Sequence, residues 1–273
     1  MISLPIHQTF MSDQTISYTA AILAIGLITS SMEMFYTKGI YCGNGFMNWN
    51  ISKLRSQILL RAKVLNFIYR DDHFYAFSFF RLFAGVALLL SVFIDQRYLS
   101  PVAFVLVFLA YLFFTMRTPY GLDGSDQAAL LVALIYSILC ISTSPIIRLS
   151  CHTFLAAQLT LVYFTSGWNK LKADNWRNGV YLWKLFSTGF YGMENLGNFL
   201  KKQRGFSRFS SLSVVLAETL FIFFWVLPAP YCWLILGALG LFHLLTAITM
   251  GLNTFFWAFL AMYPSTIYCR LLY

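Results

Sequence analysis

The chain has 273 residues, 59% hydrophobic and only 11% charged, with a formal net charge of +9. Soluble domains carry about 25% charged residues, so this composition excludes a water-soluble fold. It predicts an all-α polytopic membrane helical bundle, a single integral membrane domain over 1–273. The positive charge comes with no basic tail, RNA-binding module or zinc-ligand spacing. It therefore reads as loop bias at a membrane face and not as nucleic-acid binding.

Apolar runs near the ~20 residues needed to cross a bilayer lie at about 16–35, 75–94, 98–116, 127–147, 153–169, 210–228, 231–250 and 253–269. They predict about eight transmembrane helices. The N-terminus lacks the basic region of a cleaved signal, so the first run is expected to stay as a span. The segment 37–73 that follows it carries Lys38, Lys53, Arg55, Arg61, Lys63 and Arg70. Arg81 sits about two turns into the second span. It is expected to be the counter-charge of Glu218, or of Asp123 or Asp126.

Before the fourth span the chain reads Arg117-Thr-Pro-Tyr-Gly-Leu-Asp-Gly-Ser-Asp-Gln127. Ser125 or Asp126 is expected to cap that helix. With no histidine or further acid at ligand spacing, no metal is expected there. Five cysteines form no CxxC and sit mostly in or beside apolar runs, as buried structural thiols do. Cys140 and Cys151 could meet near one membrane face.

The fifth span ends in polar residues. At about 100° per residue, Gln158, Thr165 and Asn169 form one stripe and Tyr163, Ser166 and Lys170 its neighbour. Such a sector is expected to face other helices or a cavity. A lysine at a span end can instead snorkel to the headgroups. Residues 178–190 are too short to span and predict one short interfacial or re-entrant helix. The surrounding segment 170–209 holds Lys170, Lys172, Arg177, Lys184, Lys201, Lys202, Arg204 and Arg208. The sixth span contains Glu218, which is expected to be paired or protonated because an ionised carboxylate at bilayer depth is costly. The seventh contains His243, with Gly240 a turn before it where another helix or a ligand could approach. Together with Arg117, the two basic segments put fifteen cations on one side against Arg97, Arg148 and Arg270 on the other. That bias places both termini outside the cytoplasm.

Motifs for serine hydrolases, Walker NTPases, zinc proteases and dinucleotide folds are absent. The run Gln158-Leu-Thr-Leu-Val-Tyr-Phe-Thr-Ser-Gly-Trp-Asn-Lys170-Leu-Lys-Ala-Asp-Asn-Trp176-Arg-Asn-Gly179 resembles the signature of the horizontally transferred transmembrane (HTTM) domain. That domain is the membrane part of vitamin K-dependent gamma-glutamyl carboxylase. Lys170 stands where that family has its catalytic lysine, and Trp176 with Gly179 matches a Trp-x-x-Gly. Arg81, the Asp-Gly-Ser-Asp-Gln turn at 123–127, and Glu218 followed by Phe-His243 and Met-Gly-Leu-Asn-Thr-Phe at 250–255 agree in order. The similarity covers about residues 73–265.

The resemblance implies a lysine base that deprotonates a quinol such as reduced vitamin K or menaquinol. Lys170, Glu218 and His243 are its catalytic candidates, with Tyr163, Trp168, Trp176 and Arg81 around the ring. It further implies modification or maturation of a secreted peptide or small acid, with a protein or peptide partner, in a bacterial inner membrane. This chain departs from the pattern at Asn169, where the family has a second lysine, and it lacks the carboxylase's extramembrane domain. Charge bias also puts Lys170 near the cytoplasmic face, whereas the carboxylase acts on the lumenal side. A non-catalytic membrane subunit and a transporter remain as alternatives. The absence of internal repeats counts against the transporter.

Overall fold

The computed structural model describes residues 6–55, 63–94, 98–118, 124–188 and 192–272. Among them the secondary structure is helical, with no strand. Among the described residues seven helices are long and apolar enough to cross a bilayer, so the chain is an all-α polytopic integral membrane protein. It folds as two compact units, 1–151 and 152–273.

The first unit is built on α1 (Ile6–Tyr36), α2 (Phe74–Phe93), α3 (Leu99–Arg117) and α4 (Gly124–Ile141). The 20 residues of α2 give a length of about 30 Å, the thickness of the hydrocarbon layer. Between apolar helices in lipid, close packing replaces the hydrophobic drive. Gly85 supplies it here: a Cβ on it would stand 2.9 Å from Ile28 Cγ1 of α1. Polar ties join the other helices. The Thr19 hydroxyl donates to Tyr136 Oη at 2.8 Å, and that of Ser100 to Ser91 Oγ at 3.1 Å. Other hydroxyls, such as those of Ser78 and Ser137, donate to carbonyls one turn back on their own helix, so they do not oppose membrane burial.

Several expectations are corrected. The expected fourth span over 127–147 is shorter, because α4 ends at Ile141 and α5 (Pro145–Lys172) begins at a proline whose fixed φ suits a first helical position. Ser125 and Asp126 lie inside the first turn of α4, and the residues that precede the helix lie outside the described ones. Asp123 lies outside the described residues.

The second unit continues α5 and adds α6 (Val180–Phe186), α7 (Glu194–Lys202), α8 (Arg204–Leu220), α9 (Ala229–Met250), α10 (Asn253–Leu260) and α11 (Tyr263–Leu272). The short helix expected within 178–190 is α6; residues 189–191 lie outside the described ones. The expected eighth span, 253–269, is two short helices. Pro264 lacks an N–H, and in a continuous helix its ring would clash with the Leu260 carbonyl four residues back. The chain accordingly breaks at Ala261 and Met262.

Candidate functional site

The site forms where α5 crosses α8. A Cβ on Gly167 would stand 2.4 Å from the Thr219 backbone nitrogen, so only glycine allows this approach. Lys170 is three residues on and shares that face. Its Nζ donates to Glu218 Oε1 at 2.6 Å and to Oε2 at 2.7 Å. The Glu218 side chain is 4% exposed and that of Lys170 20%. The amine also faces two rings, with centroids 5.3 Å away at Trp176 and 5.7 Å away at Phe242. Lys170 therefore does not snorkel; it is held by a carboxylate. That carboxylate does not pair with Arg81.

A turn docked on α8 holds Trp176 in place. Ser207, Ser211, Val215 and Glu218 are all buried and recur at helical spacing, so they form one face of α8. The Ser207 hydroxyl donates to the Gly179 carbonyl at 2.7 Å and that of Ser211 to the Trp176 carbonyl at 2.5 Å. Gly179 has φ 72°, and a Cβ there would meet the Arg208 nitrogen at 2.5 Å. Conformation and space both require glycine at the end of the Trp-x-x-Gly run.

His243 lies in the buried face of α9. Its Nε2 is 3.0 Å from Tyr163 Oη, which is 3.1 Å from Tyr263 Oη. The ring stacks on Phe259, with centroids 4.5 Å apart. A Cβ on Gly240 would meet the Tyr263 ring only at 3.8 Å, an ordinary contact, so Gly240 is not needed for close approach. A second buried histidine, His152, has Nδ1 3.0 Å from Ser265 Oγ and its ring beside Tyr268.

The structure thus brings Lys170, Glu218 and Trp176 together and joins His243 to Tyr163, with the Lys170 charge acting on His243 and that of Glu218 on Tyr163. Trp168 is 43% exposed; it stacks on Phe164 and lies under the Lys172 ammonium. Arg81 is fully buried in the first unit. It donates to Ser30 Oγ at 3.0 Å and lies 4.2 Å from the Phe114 ring centroid, and the Asp126 charge acts on it. The expected polar sector is half inward. Tyr163 is buried, but Thr165 and Asn169 are exposed, and the Thr165 hydroxyl is satisfied by the Leu161 carbonyl at 2.7 Å. The sequence reading missed Tyr263, Ser207 and Ser211. The two serines carried a legible signal, since they lie four residues apart on the face of Glu218.

Among the described residues no group of three His, Cys, Asp or Glu side chains could hold a metal. All five cysteines are free thiols, Cys140 and Cys151 included. No family model matches the chain, and no curated protein or solved structure matches it either.

Proposed function

We propose that this chain is a carboxylase-like membrane protein in which Lys170 acts as a base, supported by Glu218 and His243, in the modification or maturation of a secreted peptide or small acid. The observation that carries this reading is the short contact of Lys170 Nζ with both Glu218 oxygens. Proton exchange across such a contact converts ammonium and carboxylate into amine and carboxylic acid with no change in net charge. The second form offers the free amine that base catalysis needs. The Lys170 side chain is one-fifth exposed, which leaves a path to it from outside.

The resemblance implies a quinol cofactor. A partly exposed lysine side chain whose amine has two aromatic rings within 6 Å fits a ring that bears hydroxyls. Lys170, Trp176 and Phe242 would hold it, whereas outward-facing Trp168 would not. When bound and oxidised by oxygen, the cofactor supplies a base strong enough to deprotonate a carbon beside a carboxyl group. Basic residues after α1 and at and after the end of α5, with Arg117 at the end of α3, support a cytoplasmic face for those ends and a non-cytoplasmic N-terminus. This side assignment does not depend on the broken last segment.

Mass spectrometry of quinones that co-purify with the full-length protein tests this reading. Quinone should be retained by the wild type and lost from Phe242→Ala with the melting temperature unchanged. Absence of quinone from well-folded wild type, prepared with quinone supplied during growth, would sink the cofactor reading.

The same contact favours a second reading, a non-catalytic subunit of a peptide-maturation or export complex. A neutralised lysine can serve only to fasten α5 to α8. Replacement of the pair by Lys170→Met with Glu218→Leu should then leave complex assembly and activity intact. Base catalysis by Lys170 requires the double variant to be folded but inactive.

A further inference from the structure

A second polar site lies in the first unit, beside the start of a candidate span. The short helices Trp49–Ser52 and Lys63–Ile68 and the start of the Asp71–Phe93 span border a recess of about 610 Å³. Its lining includes Trp49, Asn50, Lys53, Asn66, Arg70 and Asp72.

The frame is built from hydrogen bonds. The indole N–H of buried Trp49 donates to Asn66 Oδ1 at 3.1 Å. Asn48 caps the first short helix by accepting from the Ile51 N–H at 2.9 Å. Asp71, also in the wall, accepts from the Gly43 N–H at 2.9 Å and from Arg117 at 3.5 Å. Its neighbour Asp72 accepts from Arg70 at 2.7 Å. Both carboxylates are therefore engaged, which disfavours a cation as ligand.

Donors are in surplus. Among the described residues the Lys53 ammonium, with three N–H groups, meets only the neutral Asn50 side chain, at 2.9 Å. Arg70 gives one of its two terminal nitrogens to Asp72. Behind Asp71, the Arg117 side chain is 1% exposed and its Nη1 has no partner among the described residues. A recess with uncommitted cationic donors fits an anion with several acceptor oxygens.

We propose that this recess binds a phosphate group, as presented by the headgroup of an anionic phospholipid, with Lys53 and Arg70 as its charge partners. The lipid source follows from position, because the recess adjoins the start of a span and lies in a basic segment. Such segments attract anionic lipids.

Full-length protein in detergent should be titrated with short-chain phosphatidylglycerol, short-chain phosphatidylcholine and inorganic phosphate, with thermal melting as the readout. Phosphatidylglycerol should raise the melting temperature saturably and more than phosphatidylcholine. Lys53→Gln and Arg70→Gln should each weaken the apparent affinity about fivefold. Lys53→Arg should retain it, and Lys201→Gln, on a different basic segment, should not change it. An equal response to inorganic phosphate, lost in the same variants, would support a phosphate site with a soluble ligand. An unchanged phosphatidylglycerol response in the well-folded double variant would overturn the proposal, as would no saturable response in the wild type.

Discussion

Gly167 and Glu218 touch through their backbones: a Cβ on the glycine would fall 2.8 Å from the Glu218 carbonyl carbon. Backbone cannot yield as a flexible side chain can, so Gly167→Ala must push α5 and α8 apart. The helix gains about 1 kcal/mol from the better propensity of alanine. Overpacking costs about 1–3 kcal/mol and the ion pair loosens as well. The variant should have a lower melting temperature than wild type. A higher one would show that the crossing has slack.

The Lys170–Glu218 pair predicts strong non-additivity. Glu218 is nearly sealed from solvent. Removal of one partner from a buried pair leaves an uncompensated charge and costs about 3–5 kcal/mol. Lys170→Met and Glu218→Leu should each destabilise by an amount at the lower end of that range, since Lys170 keeps some solvent contact. The double variant should recover most of the loss. Denaturation of all four proteins in one detergent gives the coupling energy, and simple additivity would show that the two side chains do not pair in solution.

The docking of the 176–179 turn on α8 predicts a ranking. Ser211→Ala deletes one hydrogen bond to a backbone carbonyl and should cost about 1 kcal/mol. Gly179→Ala meets both a left-handed backbone and a Cβ position 2.5 Å from the Arg208 nitrogen, and should cost several times more. Equal losses would mean that the turn is free to shift.

Much of this was readable from residue type and spacing, and the failures are instructive. Lys170, Glu218 and His243 stand out because ionisable groups in apolar helices are costly. Which of them would meet was not readable, since sequence carries no rotation of one helix against the next. Glu218, Asp123 and Asp126 could therefore all be offered as counter-charges of Arg81, although Lys170 holds Glu218 and the Asp126 charge acts on Arg81. The outward placement of Trp168 was readable: two residues before Lys170 is about 200° around the helix, which is nearly the opposite face. The break before Pro264 was readable too, because proline seldom continues a helix, but the apolar run on either side concealed it. Tyr263 gave no signal. It is one of 16 tyrosines, and only the folded chain places its hydroxyl beside Tyr163.

Tyr69 predicts an effect of alkaline pH. Its side chain is buried against Trp49, with ring centroids 4.9 Å apart, and among the described residues its hydroxyl has no partner. Burial pushes the phenol from its ordinary 10.0 up to about 12. Below pH 10 both folded and unfolded chains keep the proton, so the shift has no effect there. Between about pH 10 and 12 the unfolded chain releases it while the folded chain retains it, and stability falls as pH rises. Tyr69→Phe should remove that part of the alkaline loss, read as the difference between wild-type and variant denaturation midpoints at pH 9 and pH 11. At pH 7 the variant should be as stable as wild type or more so, by on the order of 1 kcal/mol, because an unsatisfied buried hydroxyl is itself a cost. A variant clearly less stable at pH 7, with the same alkaline slope as wild type, would show that the hydroxyl is bonded and titrates normally.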